Sequence, residues 1–266
     1  MKTPRIAIAL FGIPRGSATT MPTLVQHFIG PARQIGDCRV FYHLYRQDRV
    51  VNARSGEDAA MPDDAYAPFA AFDGELEAPE LCLEQWRFDK IQAFGDHYVD
   101  EFRSLRNLVH QLHSLRQVTT RLTDWRPDVV LFMRPDLLYH GGFARATIAD
   151  LCSHPRRCVL PEWHWWGGYN DRFALCGADV FRGYGNRVEL ALDFSQRTGR
   201  PLQAERLVRY ALHRANASVR TTPIRANRVR VNGQMKPEDF SAGATAGSIR
   251  RHLEMGWLRL LTQLSI

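Results

Sequence analysis

The sequence predicts an α/β fold: one domain over 1–266, built on a mostly parallel, twisted sheet flanked by helices. Three observations predict it. Short apolar runs of strand character alternate with longer segments whose apolar residues recur every three or four positions. No internal repeat interrupts that order, and no linker is long enough to separate two domains. At 266 residues, 45% of them hydrophobic, the chain can bury a sizeable core.

Taken in order, Arg5 to Phe11 is rich in Ile, Ala and Leu and reads as a strand ending at Gly12. A helix beginning near Pro22 would turn Leu24, Val25, Phe28 and Ile29 inward. CRVFYHLY, 38–45, is the second strand. Residues 46–80, mixed in charge and rich in Ala, Pro and Gly, are expected to form a surface excursion. Tyr98, Phe102, Leu105, Val109 and Leu112 then recur at helical steps, and Leu115, Val118 and Leu122 continue the stripe. DWRP ends that helix, because proline disfavours helix at the residue before it. DVVLFM and RCVLP are strands, RFALCGADVF is a strand running into a helix, and PLQAERLVRYALHRA is a helix. VRTTPI and NRVRVN are short strands, and an amphipathic helix over 244–266 closes the chain.

Composition excludes several classes. The longest apolar runs are too short to span a bilayer. MKTPRIAIALFGIPRG runs into Gly-Ile-Pro-Arg-Gly instead of a small-residue cleavage site, so it reads as a first strand, not a signal peptide. Five scattered cysteines without a C-x-x-C pair give neither a zinc site nor a disulfide framework, and are expected as buried thiols of a cytoplasmic protein. The net charge of +7, with arginines dense between Arg182 and Arg230, favours an anionic partner. No exposed aromatics interleave with those arginines and no nucleic-acid-binding motif accompanies them, so a small polyanion is preferred and nucleic acid is set aside. In the last helix Ile249, Leu253, Trp257 and Leu260 share a face beside Arg250, Arg251 and Arg259. That face either closes the core or touches the inner side of a membrane.

Candidate chemistry gathers in three places. LFMRPDLL, 131–138, ends an apolar strand in Arg134, Pro135 and Asp136, although buried charge must be paired or used. Ligands collect beyond the C-terminal strand edges of such sheets, which puts Gly12 to Arg15, His43 and Arg134 to Asp136 on one rim. FGIPRGSATT follows the first strand; Arg15 there is either a planar fork for phosphate or a solvated turn residue. EWHWWGGYNDRF, 162–173, sets Trp163, Trp165, Trp166 and Tyr169 around two glycines and Asn170, Asp171 and Arg172. It is a sugar site or a tryptophan-rich corner of the core. Glu205, in the first turn of a helix, is a further acid or a simple dipole partner. The ten histidines show no metal-binding spacing; His110 and His113 sit three apart on the long helix without a carboxylate.

Six motifs in this order resemble a family of small glycosyltransferase-like proteins with a GT-A type, nucleotide-diphospho-sugar transferase fold. They are Gly12-Ile13-Pro14-Arg15, Phe41-Tyr42-His43-Leu44-Tyr45, Gln111 on the long helix, Arg134-Pro135-Asp136-Leu137, Gly167-Gly168-Tyr169-Asn170-Asp171-Arg172-Phe173, and Glu205-Arg206-Leu207. The resemblance implies transfer of a sugar from a nucleotide-diphosphate donor to a glycan or lipid-linked acceptor, as in polysaccharide biosynthesis. It implies a donor site at Gly12, Pro14, Arg15, His43, Arg134 and Asp136, and an acceptor site at Trp166, Gly167, Gly168, Asn170 and Arg172. Asp171, then Glu205, are the implied base, with Asp136 beside the donor. Arg-Pro-Asp stands where the fold has its metal-binding Asp-x-Asp, so the resemblance implies that Arg134 carries part of the diphosphate's charge and that Asp136 holds either Mg or Mn or the donor sugar. Two other functions stay open. GIPRGSATT resembles the Pro-Arg-Ser-Gly-Thr-Thr loop of sulfotransferases with Ser-Gly reversed, and the fold could serve as an inactive carbohydrate-binding protein.

Overall fold

The computed structural model describes residues 3–52, 56–79 and 82–241. In chain order its strands are β1 (Arg5–Gly12), β2 (Asp37–Tyr45), β3 (Arg49–Asn52), β4 (Glu57–Ala60), β5 (Asp73–Glu77), β6 (Val129–Met133), β7 (Leu137–Tyr139), β8 (Arg157–Pro161), β9 (Ala174–Gly177), β10 (Ser218–Thr222) and β11 (Ala226–Arg228). The helices are α1 (Ser17–Leu24), α2 (Gly30–Ile35), α3 (Cys82–Gln85), α4 (Phe88–Gln92), α5 (Arg103–Thr123), α6 (Arg145–Ser153), α7 (Phe181–Gly185), α8 (Ala191–Thr198) and α9 (Ala204–Arg214). Seven strands form one sheet in the order β10-β8-β9-β6-β1-β2-β5. β1 runs parallel to both β2 and β6, β2 to β5, and β8 to β10; β9 alone is antiparallel to its neighbours β6 and β8.

Because strand side chains alternate, the central strand serves two cores. Ile6, Ile8 and Leu10 pack with Leu24 and Phe28 on one face, while Ala7, Ala9 and Phe11 pack with Leu115, Val118 and Leu122 of α5 on the other. Ile6 to Phe11 are fully buried, as strands covered on both faces are. The α/β class and the mostly parallel sheet are as expected from sequence.

Four local differences have physical causes. Pro22 lies inside α1, and a π turn at Val25–Ile29 follows before α2 continues the rod. The wider turn shifts the helical phase. Met21, Leu24 and Phe28 take the inner face, and Val25 is left 45% exposed instead of buried. α5 begins at Arg103, later than the apolar stripe predicts. The Asp96 carboxylate captures the backbone N–H groups of Tyr98, Asp100 and Phe102, and Phe102 itself adopts a left-handed φ of 61°. The stretch expected as a surface excursion supplies the edge strand β5 and the hairpin β3–β4. Finally, β7, which the sequence did not announce, pairs with β11, and β11 covers only the start of the strand expected over NRVRVN. The helix expected over 244–266, with its membrane contact, lies outside the described residues. Among the described residues no helix is long and apolar enough to cross a membrane.

Candidate active site

From β1 the chain builds outward through β2 and β5; from β6 it builds the other way through β9, β8 and β10. The crevice beyond the C-terminal ends of β1 and β6 is therefore the switch point at which open α/β sheets bind ligands. Arg15 follows β1 there, and Arg134 and Asp136 follow β6.

These residues form a connected chain of charge. Arg134 grips Asp136 with two N–H donors, Nε to Oδ1 at 2.9 Å and Nη2 to Oδ2 at 2.8 Å. Arg15 adds Nη2 to the same Oδ2 at 2.6 Å and turns Nη1 to Glu57 at 2.8 Å. Arg134 Nη1 donates to Gln111 Oε1 at 2.9 Å, and Gln111 Nε2 donates to Asp171 Oδ2 at 3.4 Å. Arg172 closes the row 3.5 Å from Asp171. Burial opposes ionisation of Asp136, but Arg134 and Arg15 outweigh it and hold its carboxyl far below the usual range. Burial is likewise overcome at Asp171 by Arg172, Arg134 and Arg187, which keep that carboxyl below its ordinary value.

Two members of the chain lie beyond what sequence reasoning assigned. Glu57 sits in the segment expected to be a surface excursion, yet it is only 8% exposed. It accepts from Arg15, from Arg230 Nη1 at 3.1 Å and from the Val231 N–H at 2.9 Å, tying β4 to the segment after β11. Gln111 entered only through the resemblance; it is the bridge between donor-side and acceptor-side charges. Each guanidinium carries five N–H donors. Arg134 keeps donors beyond its three bonds, and the buried Nε of Arg15 has no partner. The two arginines and Asp136 line a cleft of ≈ 120 Å³ together with Gln111, Tyr45 and Asn107.

Of the remaining expected donor residues, Gly12 also lines this cleft, and each has a structural role. Gly12 ends β1 at a φ of 104°, and its N–H donates to Ser114 Oγ at 2.8 Å. Pro14 accepts the Ser17 N–H at 3.3 Å as the chain enters α1. Gly16 leaves no room for a side chain, since a Cβ there would lie 2.4 Å from Val229. Two of the three hydroxyls that a sulfotransferase-like loop would offer a nucleotide are spent on backbone: Ser17 donates to Ala65 O at 2.7 Å and Thr20 to Pro135 O at 2.6 Å, while Thr19 is exposed.

In the aromatic segment Trp163 and Trp165 belong to the core, 1% and 7% exposed, with their indole N–H groups on Ile224 and Pro161 carbonyls. Trp166 is the outward one, at 54%. It and His164 have left-handed φ values of 42° and 52°. Gly167 continues the turn at φ 84°, and its carbonyl accepts from Arg209 at 3.4 Å. Gly168 is a packing requirement: a Cβ would lie 2.0 Å from the Glu205 carbonyl, which accepts the Tyr169 N–H. Asn170 is used inside the loop, donating to Trp163 O at 2.6 Å and accepting the Arg172 N–H at 2.8 Å. Glu205 is buried at the start of α9, against that loop.

Neither candidate donor set for a divalent ion fits one. Three of the lone-pair positions of Asp136 already accept arginine N–H groups, and a cation there would face two guanidinium charges. His43, Glu77 and His113 bring ligand atoms within 4.8 Å of one another. The hydrogen on His113 decides against a metal. Trp86 can only donate, and its Nε1 bonds His113 Nδ1 at 2.8 Å, so the His113 proton sits on Nε2, where a metal would have to bind. Ser114 commits its one hydrogen to the His43 carbonyl at 2.6 Å, so His43 Nδ1 donates to Ser114 Oγ. His43 Nε2 then faces Glu77 Oε2 at 2.7 Å. His43 thus braces α5 against β2 and β5 and is not among the residues that line the cleft.

No family model matches the chain, and no curated protein matches it by sequence. Among solved structures it is similar to mouse xyloside xylosyltransferase 1 in its apo form, with 9% identity, 82% of this chain and 84% of that chain covered, and a TM-score of 0.41. It is also similar to core-mannan synthase A from Aspergillus fumigatus in an Mn/GDP form, with 9% identity, 86% and 75% covered, and a TM-score of 0.49. Neither likeness bears on the chemistry of the site.

Proposed function

We propose that this protein transfers a sugar from a nucleotide-diphosphate donor to a glycan or lipid-linked acceptor, with arginines in place of a metal ion. The observation that carries it is the buried row Arg15–Asp136–Arg134–Gln111–Asp171 at the switch point of the sheet. Support also comes from the six ordered motifs, all but one of which supply a residue to that row or border it.

In the transfer, the acceptor hydroxyl oxygen bonds the anomeric carbon while the bond from that carbon to the diphosphate oxygen breaks. The bonding electron pair leaves with the diphosphate, and negative charge builds there. Fixed cations aimed at that charge are the main source of acceleration in such steps. Arg15 and Arg134 are held ready by Asp136, which acts as their counter-ion and not as a metal ligand. Asp171 is buried and ionised, so it suits a hydrogen bond from the acceptor hydroxyl and attraction for positive charge at the anomeric carbon. It takes the hydroxyl proton as the new bond forms. A carboxyl held below its usual pKa is a weak base, so positioning by Asp171 contributes along with proton transfer.

Asp171→Asn keeps the shape and removes the charge. Incubated with a panel of nucleotide-sugars and acceptors, this variant should bind nucleotide as wild type does and lose about a hundredfold or more in transfer. Unchanged transfer would remove Asp171 from the reaction. Nucleotide-sugar binding without turnover in wild type would favour a carbohydrate-binding protein.

A further inference from the structure

We propose that the acceptor is an anionic saccharide, carrying a uronate carboxylate or a phosphate ester, bound on a platform of Trp166, Arg172, Arg228 and Lys236. This rests on the rim being a sugar-transfer site. Contacts connect its indole to its cations. The exposed Trp166 ring lies over His164, with centroids 5.6 Å apart and planes 32° from parallel. His164 Nε2 bonds the Asp239 carbonyl at 2.8 Å, and its Nδ1 is 3.9 Å from Glu238. Glu238 in turn accepts from Arg228 Nε at 2.8 Å. Arg228 ends β11, whose next residue donates its N–H to the Asp136 carbonyl at 2.9 Å. A chain of contacts therefore leads from the exposed indole, through the buried side chains of His164 and Glu238, to the segment that touches Asp136.

Its cations are crowded. Beside Arg172, Arg228 and Lys236 stand three acids: Glu238, paired to Arg228, Asp171, which is shared by Arg172, Arg134 and Arg187, and the exposed Asp239, whose carboxylate accepts from Ser241. The crowding is felt by the cations themselves. Burial and the nearby Arg172 bring Arg228 down to about 10, and burial and Arg228 lower Lys236. An arginine that holds its proton less tightly than usual, in a surface with an indole open to solvent, is relieved by an incoming anion. Both sugar faces and anions are thereby accommodated: C–H groups on Trp166 and the acidic group on the cations. The Arg172 and Arg228 side chains, 14% and 22% exposed, are within reach of such a ligand.

The test follows the Trp166 indole N–H by NMR, assigned from its loss in Trp166→Phe, while glucose, glucuronic acid and glucose 6-phosphate are titrated into the full chain. Both acidic sugars should move that resonance with at least about tenfold higher affinity than glucose. The preference should collapse in Lys236→Gln and in Arg172→Gln, two variants that spare the buried Arg228–Glu238 pair. A stronger response to the phosphate than to the carboxylate assigns a phosphorylated acceptor, and the reverse a uronate. Equal affinity for glucose and the acids overturns the proposal while leaving the donor site intact. Acid-selective binding with no binding of nucleoside diphosphate keeps the platform and overturns the transferase reading instead.

Discussion

At the residue scale, Asp136 decides whether two arginines can stand together in a closed site. Removing its charge leaves Arg15 and Arg134 buried without their common anion. Breaking such a pair costs about 3–5 kcal/mol. Asp136→Asn should therefore lower stability by that order in urea unfolding at pH 7. The pH dependence has a definite sign. Asp136 is pulled below its ordinary carboxyl value by Arg134 and Arg15 against the effect of burial. Its contribution is thus fully present above about pH 4 and is lost as the pH falls below that. The gap between wild type and variant should narrow from about pH 4 to pH 2. A gap that stays constant with pH would mean the charge is not what stabilises. Residue-scale chemistry was half legible in the sequence. An apolar strand ending in Arg-Pro-Asp announces a charged rim, but Glu57 could not be found, because its partners Arg15 and Val231 are 42 and 174 positions away. The tryptophans were equally mute: Trp163, Trp165 and Trp166 are the same residue type within four positions, and a left-handed backbone at Trp166 turns one of them out.

At the scale of elements, α5 and α9 carry the site. α5 is fixed to the sheet by Ser114, which takes the Gly12 N–H and His43 Nδ1 and donates to the His43 carbonyl. One turn earlier it presents Gln111 to Arg134 and Asp171. Ser114→Ala strands buried donors at the end of β1 and in His43, a loss of about 1–3 kcal/mol. Thermal unfolding should show it, and Ser114→Ala with wild-type stability would place the anchor of α5 elsewhere. α9 is set by the glycine loop. Gly168→Ala forces a methyl into the Glu205 carbonyl, so the loop and the first turn of α9 must part. Overpacking of this kind typically costs about 1–3 kcal/mol. The variant should unfold at lower denaturant and shift the Trp166 indole resonance, whereas an unmoved resonance would separate the loop from α9. Elements themselves were legible wherever periodicity was long, as in α5 and β6. The failures came from local chemistry that overrides pattern: the aspartates that delay α5, and the π turn that exposes Val25.

At the scale of the molecule, sheet order explains why sequence-distant charges meet. A parallel β1 between β2 and β6 creates one crevice, and the loops after β1 and β6 both open into it. Alternation of strands and helices made the class readable, while the edge strand β5 hid in a segment too polar to look like one: Asp73, Glu75 and Glu77 make three of its five residues acidic, as an exposed edge tolerates. The central claim is that the crevice holds a diphosphate by arginine and without a metal ion. The direct measurement is calorimetric titration of UDP, GDP and their monophosphates into wild type and Arg134→Ala, in EDTA throughout. One diphosphate should bind wild type at least about tenfold more tightly than its monophosphate, a difference of about 1.4 kcal/mol, and Arg134→Ala should erase most of that margin. Equal affinities for mono- and diphosphate, or binding that returns only when a divalent ion is restored, would contradict it.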